Sequence, residues 1–385
     1  MTQPITTIPE ITTPEALTDF CASLHQTPWI AVDTEFLRVN TYYPKLCLIQ
    51  IATPEGNVAL IDPLAFDDLS ALWALFKDPD LVKVFHSARQ DLEVLALHGC
   101  LPTPIFDTQI AALFLGYGHL AGLARVVEAE LNWPMTKDQT RTDWSQRPLQ
   151  PDQLRYALED VTSLAELYPR ILAQLDPEQK QALEEDFALL LDPSLYQSAP
   201  EKAGYRLKAL SKLGAKNQAI ALKLADWRER YAIEHDRPRR WVLGDDTLIA
   251  IAKRPPKTVQ ALYKVPQIKP SSVREFGDSW IALIDEVFQA PDTWPVKAPK
   301  PPPALPQEEV ALTLALAWRD QVTQAYGLNT GNWVGKAELL TLLRDPTPPT
   351  LLGWRRLLLE VPLRRFFDQK STFKWTDKGL QETLS

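Results

Sequence analysis

The sequence predicts an α/β domain, a mixed sheet flanked by helices, followed by small all-α bundles. Apolar strand-like runs alternate with helical stretches through the first 175 residues. From about residue 176 onward no run reads as a strand. Residues 291–306 hold seven prolines in 16 positions, which excludes a core element and marks a stiff spacer between two helical stretches.

Taken in order, Trp29–Asp33 is a short apolar run that ends in carboxylates, and Leu46–Ala52 is a second strand candidate. Val58–Ile61 follows it after Pro54-Glu55-Gly56-Asn57, where proline and glycine predict a hairpin turn. Val82–Phe85 is a fourth strand that feeds a helix near Ser87. Helices are expected at 66–76, 87–98, 107–116, 121–131 and 151–173. Between 203 and 290 the helices break at Gly214, at Asp236-Arg237-Pro238 and at Pro255-Pro256, and 307–380 is again expected to be helical. Leu-Ala-Asp-Trp227-Arg228 and Leu-Ala-Trp318-Arg319 echo each other across the two helical stretches, as two copies of one module would.

Composition narrows the function. The chain of 385 residues carries a net charge of −8, but unevenly. Residues 1–200 hold 12 basic and 28 acidic side chains, whereas 202–274 sum to about +11. An acidic half joined to a basic half suits metal chemistry coupled to polyanion binding; the alternative is two solvated faces of opposite sign. No apolar run approaches the roughly 18 residues of a membrane helix. With no cation before Arg38, a signal peptide is not expected. Cys21, Cys47 and Cys100 share no short spacing, so neither zinc nor a disulfide framework is predicted, and a cytoplasmic protein fits. There is no G-x4-G-K-[ST] and no H-E-x-x-H, which sets aside P-loop and zincin chemistry.

Candidate chemistry starts with Asp33-Thr34-Glu35 at the end of the first strand. Residues i and i+2 of a strand point to one side, so the two carboxylates project together. Unscreened, they repel, and a hard divalent cation held by oxygen relieves them; a solvated strand end is the plain alternative. Asp91 falls in the early turns of the helix after Val82–Phe85. Tyr156 and Asp160 are i and i+4 on another helix, hence neighbours on one face. A half-buried tyrosine donating to Asp160 for purely structural reasons is the competing reading.

Together, Asp33-Thr-Glu35, His86-x4-Asp91-Leu-x-x-Leu95 and Tyr156-x3-Asp160 resemble the three motifs of the DEDD exonuclease superfamily, in its tyrosine-containing branch. Linked segments resemble the ribonuclease D family: Asp33-Thr-Glu-Phe-Leu-Arg38, Thr41-Tyr-Tyr-Pro-Lys-Leu-Cys-Leu-Ile-Gln50, Phe106-Asp-Thr-Gln-Ile110 and Arg141-Thr-Asp-Trp-Ser-Gln-Arg-Pro-Leu149. The likeness spans roughly 25–175 and implies an RNase H-like fold with a five-stranded mixed sheet. It also implies two-metal-ion phosphodiester hydrolysis with Mg²⁺ or Mn²⁺. Asp33 would bridge the ions, Glu35 and Asp160 would complete the site that activates water, and Asp91 would hold the second ion. Tyr156 would orient the attacking water, and Glu35 would lie near the terminal 3′ hydroxyl. Thr34, Phe36, His86 and Arg141 are candidate RNA contacts, although Arg141 and Trp144 read equally as a surface arginine beside a buried tryptophan.

Residues 203–285 resemble the helicase-and-RNase-D C-terminal (HRDC) domain, and 305–380 resemble a second, divergent copy. The expected organisation is an exonuclease domain at 1–175, a helical connection at 176–202 and a first HRDC domain at 203–290. The proline-rich linker at 291–306 and a second HRDC-like domain at 307–385 follow. Arg237, Arg239, Arg240, Lys253 and Arg254 are candidate RNA-binding cations, with Trp241 nearby, while Trp227, Trp318 and Trp354 read as bundle core. The expected activity is 3′–5′ exoribonuclease action releasing nucleoside monophosphates, with tRNA precursors as substrates by family likeness. A DNA exonuclease of the same superfamily and a catalytically dead RNA-binding scaffold are the rival readings. No membrane and no protein partner are indicated.

Overall fold

The computed structural model describes residues 10–135, 142–296, 302–328, 333–345, 347 and 349–385. They form two compact units. The first takes the chain up to Leu37, Leu46–Tyr196 and the residues after the proline-rich stretch; the second takes Arg38–Lys45 together with the residues from Gln197 to that stretch.

The first unit is built on six strands: β1 (Glu10–Ile11), β2 (Trp29–Leu37), β3 (Lys45–Ala52), β4 (Val58–Ile61), β5 (Val82–Phe85) and β6 (Ile105–Asp107). Their order across the sheet is β1-β4-β3-β2-β5-β6. β3 and β4 are antiparallel, whereas β1 pairs parallel with β4, β2 with β5, and β5 with β6. This corrects the expected five-stranded sheet to six strands. Beyond the four runs read from the sequence, β1 and β6 have two and three residues, too short to show any periodicity. β2 also runs four residues past Asp33.

Ile30, Ala31 and Val32 on β2, and nearly all of β3, are buried, as expected for central strands covered on both faces. The covering helices are α1 (Pro14–Ser23), α2 (Ser70–Phe76), α3 (Arg89–Leu97), α4 (Thr108–Phe114), α5 (Leu123–Leu131), α6 (Pro151–Gln174) and α7 (Pro177–Leu190). α6 begins with Pro151 at its first position, and Gln153 Oε1 accepts from Gln150 N–H at 2.9 Å, which satisfies one orphan donor. It buries Ala157, Leu164, Leu167 and Ile171, a stripe at helical spacing laid on the sheet.

In the second unit α8 (Ala215–Glu234), α9 (Arg239–Val242), α10 (Asp245–Lys253), α11 (Val259–Leu262) and α12 (Pro270–Gln289) form a bundle. Its core holds Leu224, Leu248, Ile251, Trp280 and Ile284, and Trp227 packs edge-on to Trp280 at 6.1 Å. Tyr42 joins this unit: its hydroxyl donates to Glu229 Oε1 at 2.6 Å, and its N–H donates to Asp236 Oδ1 at 2.9 Å.

The C-terminal residues belong to the first unit. α13 (Pro306–Ala325), α14 (Lys336–Arg344), α15 (Gly353–Arg355) and α16 (Val361–Phe367), the last two joined by a π turn, precede β7 (Ser371–Thr376) and β8 (Gly379–Leu384). This antiparallel hairpin corrects the expectation that no strand follows residue 176. Its Phe373 ring is stacked near Trp318 at 4.7 Å and near Phe366 at 4.9 Å, so tertiary stacking fixes a stretch whose polar positions give a weak strand signal. Trp354 is buried in the same core as the sheet. Glu185 of α7 accepts from Gly353 N–H at 2.8 Å, and Asp186 accepts from Trp354 N–H at 2.9 Å. A Cβ on Gly353, whose φ is +57°, would stand 2.1 Å from Asp186 Oδ1, so glycine is required there. Among the described residues no helix is long and apolar enough to cross a membrane.

Candidate active site

β2 delivers Asp33 and Glu35 to one side of the sheet, and α6 brings Asp160 to meet them. One carboxylate oxygen from each of the three lies within 4.8 Å of the others. Asp160 also accepts from Tyr156, one turn earlier on α6. The Tyr156 ring is 6.1 Å from that of Trp144.

Asp91 stands beside this trio. Thr34, which points from β2 to the side opposite Asp33 and Glu35, donates its hydroxyl to Asp91 Oδ1 at 2.5 Å. Asp91 is in turn close enough to Asp33 and Glu35 to feel and exert charge repulsion.

The electrostatics follow from burial and mutual repulsion. Burial pushes Asp33 up to about 6. Burial, and then the Asp33 charge, push Asp160 up to about 8 against the pull of the Tyr156 hydrogen bond. Burial first and neighbouring carboxylates second carry Glu35 and Asp91 well above the ordinary range. Four carboxyls in this state cannot all ionise at neutral pH without compensating positive charge. Oxygen donors of this kind suit hard divalent cations.

Asp107, to which the sequence assigned no role, organises the approach of α3. Its carboxylate accepts from Ser87 N–H at 3.0 Å, Ala88 N–H at 2.8 Å and Gln109 N–H at 2.8 Å. It therefore ties the start of α3, and so Asp91, to the end of β6. The visible signal was an aspartate between a strand and a helix, the usual place of an N-cap. Arg147 was also missed. Its guanidinium holds both Asp62 carboxylate oxygens, at 2.5 and 2.6 Å, and donates to the Cys47 carbonyl at 2.6 Å, pinning the segment before α6 to β3 and β4.

The candidate RNA contacts fare differently. Thr34 is buried and its hydroxyl is committed to Asp91. His86 has Thr108 Oγ1 and the Ala121 carbonyl at 2.9 Å from its two ring nitrogens, and burial keeps it neutral. Both therefore act inside the fold. Phe36 is partly buried against the main core. Arg141 lies outside the described residues, and Trp144 is buried at 2% exposure, as its structural alternative required. Arg240, Lys253 and Arg254 are exposed. Arg237 pairs with Glu275 at 3.6 Å, and Arg239 pairs with Glu229 at 3.4 Å.

A mixed sheet with a carboxylate cluster on a central strand and a tyrosine-bearing helix beside it defines a 3′–5′ exonuclease. The 3′-5′ exonuclease family model matches residues 8–176, and the HRDC domain model matches 217–284. Ribonuclease D of Pseudomonas paraeruginosa is 37% identical over 351 residues, 89% of this chain and 92% of its own length. Ribonuclease D of a Jannaschia species is 45% identical over 260 residues, 66% of this chain and 67% of its own length. The crystal structure of Escherichia coli RNase D, an exoribonuclease involved in structured RNA processing, matches with a TM-score of 0.77 at 30% identity. That match covers 94% of this chain and 99% of the other. The chain belongs to the ribonuclease D family and is a 3′–5′ exoribonuclease.

Proposed function

We propose that this enzyme trims structured RNAs from their 3′ ends, tRNA precursors among them, and releases nucleoside monophosphates. Hydrolysis would use two divalent cations, Mg²⁺ or Mn²⁺, held by Asp33, Glu35, Asp91 and Asp160. The observation that carries this reading is the convergence of Asp33, Glu35 and Asp160 on one point from two separated elements. The residues fit the ions: every donor is a carboxylate oxygen, and burial with mutual repulsion leaves the set in need of positive charge. When bound, such ions supply the Lewis-acid charge that makes water nucleophilic at neutral pH and offsets charge on the leaving oxygen.

The chain's own groups do the rest. Tyr156, held by Asp160, orients the attacking water, and its phenol remains a hydrogen-bonding group rather than a base. Glu35 accepts from the terminal 3′ hydroxyl and so selects chain ends. Phe36 and Arg141 contact the last nucleotides, and Arg237, Arg239, Arg240, Lys253 and Arg254 of the HRDC module hold the RNA body.

The same proposal reads the chain as an exonuclease domain at 1–175, a connection at 176–202, an HRDC domain at 203–290, a linker at 291–306 and a divergent HRDC copy at 307–385. The repeated Leu-Ala-(Asp)-Trp-Arg stretch supports the second copy. The three buried free cysteines suit a reducing, cytoplasmic compartment. The test is a 3′-extended tRNA precursor incubated with purified protein, with and without chelator, and resolved at single-nucleotide steps. Stepwise shortening that chelator stops and Mg²⁺ restores is expected. Endonucleolytic cuts, or shortening in chelator, would overturn the reading.

A further inference from the structure

Next to the N-terminus of α12 the HRDC module contains a cavity of about 390 Å³. Arg237, Trp241, Lys269, Ser271, Ser272 and Glu275 contribute to its lining. Its chemistry is arranged in three parts. Lys269 precedes α12 at the cap position without supplying a side-chain acceptor, so the first N–H groups of this 20-residue helix lack a partner from the cap. Ser272, in that first turn, is only 8% exposed and makes no hydrogen bond to any described residue. Its hydroxyl, without a partner among the described residues, opens onto the cavity, where a polar ligand can complete it. Lys269 and Arg237 add positive charge at the same place, which suits a phosphate.

The second part is Trp241. Its indole is 53% exposed, a large flat apolar surface left open at the cavity while the other tryptophans of this unit pack into the bundle core. The third is Glu275, whose carboxylate lies 3.6 Å from Arg237 and 3.4 Å from the Tyr231 hydroxyl. A carboxylate repels phosphate but accepts from a sugar hydroxyl.

We propose that this cavity is a one-nucleotide subsite that distinguishes RNA from DNA. The phosphate sits on Lys269, Arg237 and the first turn of α12 with the Ser272 hydroxyl. The base stacks on Trp241, and the ribose 2′ hydroxyl donates to Glu275. This deepens the RNA-holding role given to the module above and rests on it.

The experiment uses the full chain in chelator, where no RNA is degraded. A labelled single-stranded oligouridylate and its deoxy counterpart are titrated by fluorescence anisotropy across a salt series. Trp241→Ala is expected to weaken RNA binding about 10-fold through lost base stacking. Lys269→Glu should weaken it similarly and lower the salt slope by about one counterion. Glu275→Gln should narrow the RNA-over-DNA preference while DNA affinity holds. Trp241 and Lys269 are exposed, so these variants keep their fold, and melting curves verify it.

Unchanged RNA affinity in Trp241→Ala and Lys269→Glu overturns the subsite. An equal loss in Lys208→Glu, an exposed site outside the cavity, reduces it to general charge and also overturns it. Inorganic phosphate at matched ionic strength should not displace the RNA; displacement would mark a simple anion site and sink the proposal. Metal-dependent shortening of RNA by the unaltered chain tests the exonuclease reading separately.

Discussion

The Thr34 hydroxyl donates to Asp91 Oδ1 at 2.5 Å across the boundary between β2 and α3. The residue between the two motif carboxylates on β2 therefore points the other way and fixes the carboxylate that the strand does not carry. Alternation along a strand makes this possible: Asp33 and Glu35 face the cluster, and Thr34 reaches the helix behind it.

Thr34→Val keeps the shape and removes the donor. Activity is expected to fall roughly 10- to 100-fold, the range seen when an orienting partner of a metal ligand is lost. The loss should show as a raised Mg²⁺ requirement in a titration of RNA degradation. An unaltered Mg²⁺ profile would mean that Thr34 does not position Asp91.

Asp33→Asn should abolish turnover while the fold stays intact. Because Asp33 raises Asp91 and Asp160 by repulsion, its neutral replacement should also raise the melting temperature in chelator by about 2–5 °C. Differential scanning calorimetry reads this. Normal turnover would refute the metal assignment, and a lower melting temperature would refute the repulsion.

Asp186, which holds the Trp354 N–H, gives a pH-dependent prediction. Burial lifts it from 3.8 to about 6, so the folded form keeps its proton longer than the unfolded form does. The stability it contributes is complete below 3.8 and is lost as pH rises to about 6. Asp186→Asn lacks that loss. The variant should therefore gain on the parent between these values, by about 2–3 kcal/mol at most. Denaturant melts at several pH values measure the difference, and a constant gap would contradict the assignment.

In the second unit Tyr42→Phe removes the donor to Glu229, a carboxylate with no exposure and with its second oxygen already unpartnered. The expected cost is about 1–3 kcal/mol. It should appear as faster amide hydrogen exchange in α8, where Glu229 sits. Exchange unchanged in α8 would show that the Arg206 and Arg239 cations, at 3.8 and 3.4 Å, suffice without the tyrosine.

Much of the candidate site was legible before any coordinates. Asp33 and Glu35 on one strand, and Tyr156 with Asp160 on one helix, are neighbours by local periodicity alone. Reading Asp91 as their companion needed the family likeness, because nothing local joins position 91 to position 33. Asp107 stayed hidden because it works through backbone groups, which every sequence contains, and Arg147 because its partner Asp62 lies 85 residues away, at distances that only the fold sets.

Local pattern, then, determined the buried central strands, the helices that cover them, the paired acids and the basic segment, since all of these follow from side-chain spacing of two or three to four residues. Tertiary structure alone decided the two short outer strands and the closing hairpin, where pairing and ring stacking override weak propensity. It also decided that Tyr42, sequentially part of the exonuclease segment, is claimed by the helical bundle, and that Gly353 lies against Asp186. Contacts between residues far apart in sequence come from how elements pack, and no short window of the chain holds that information.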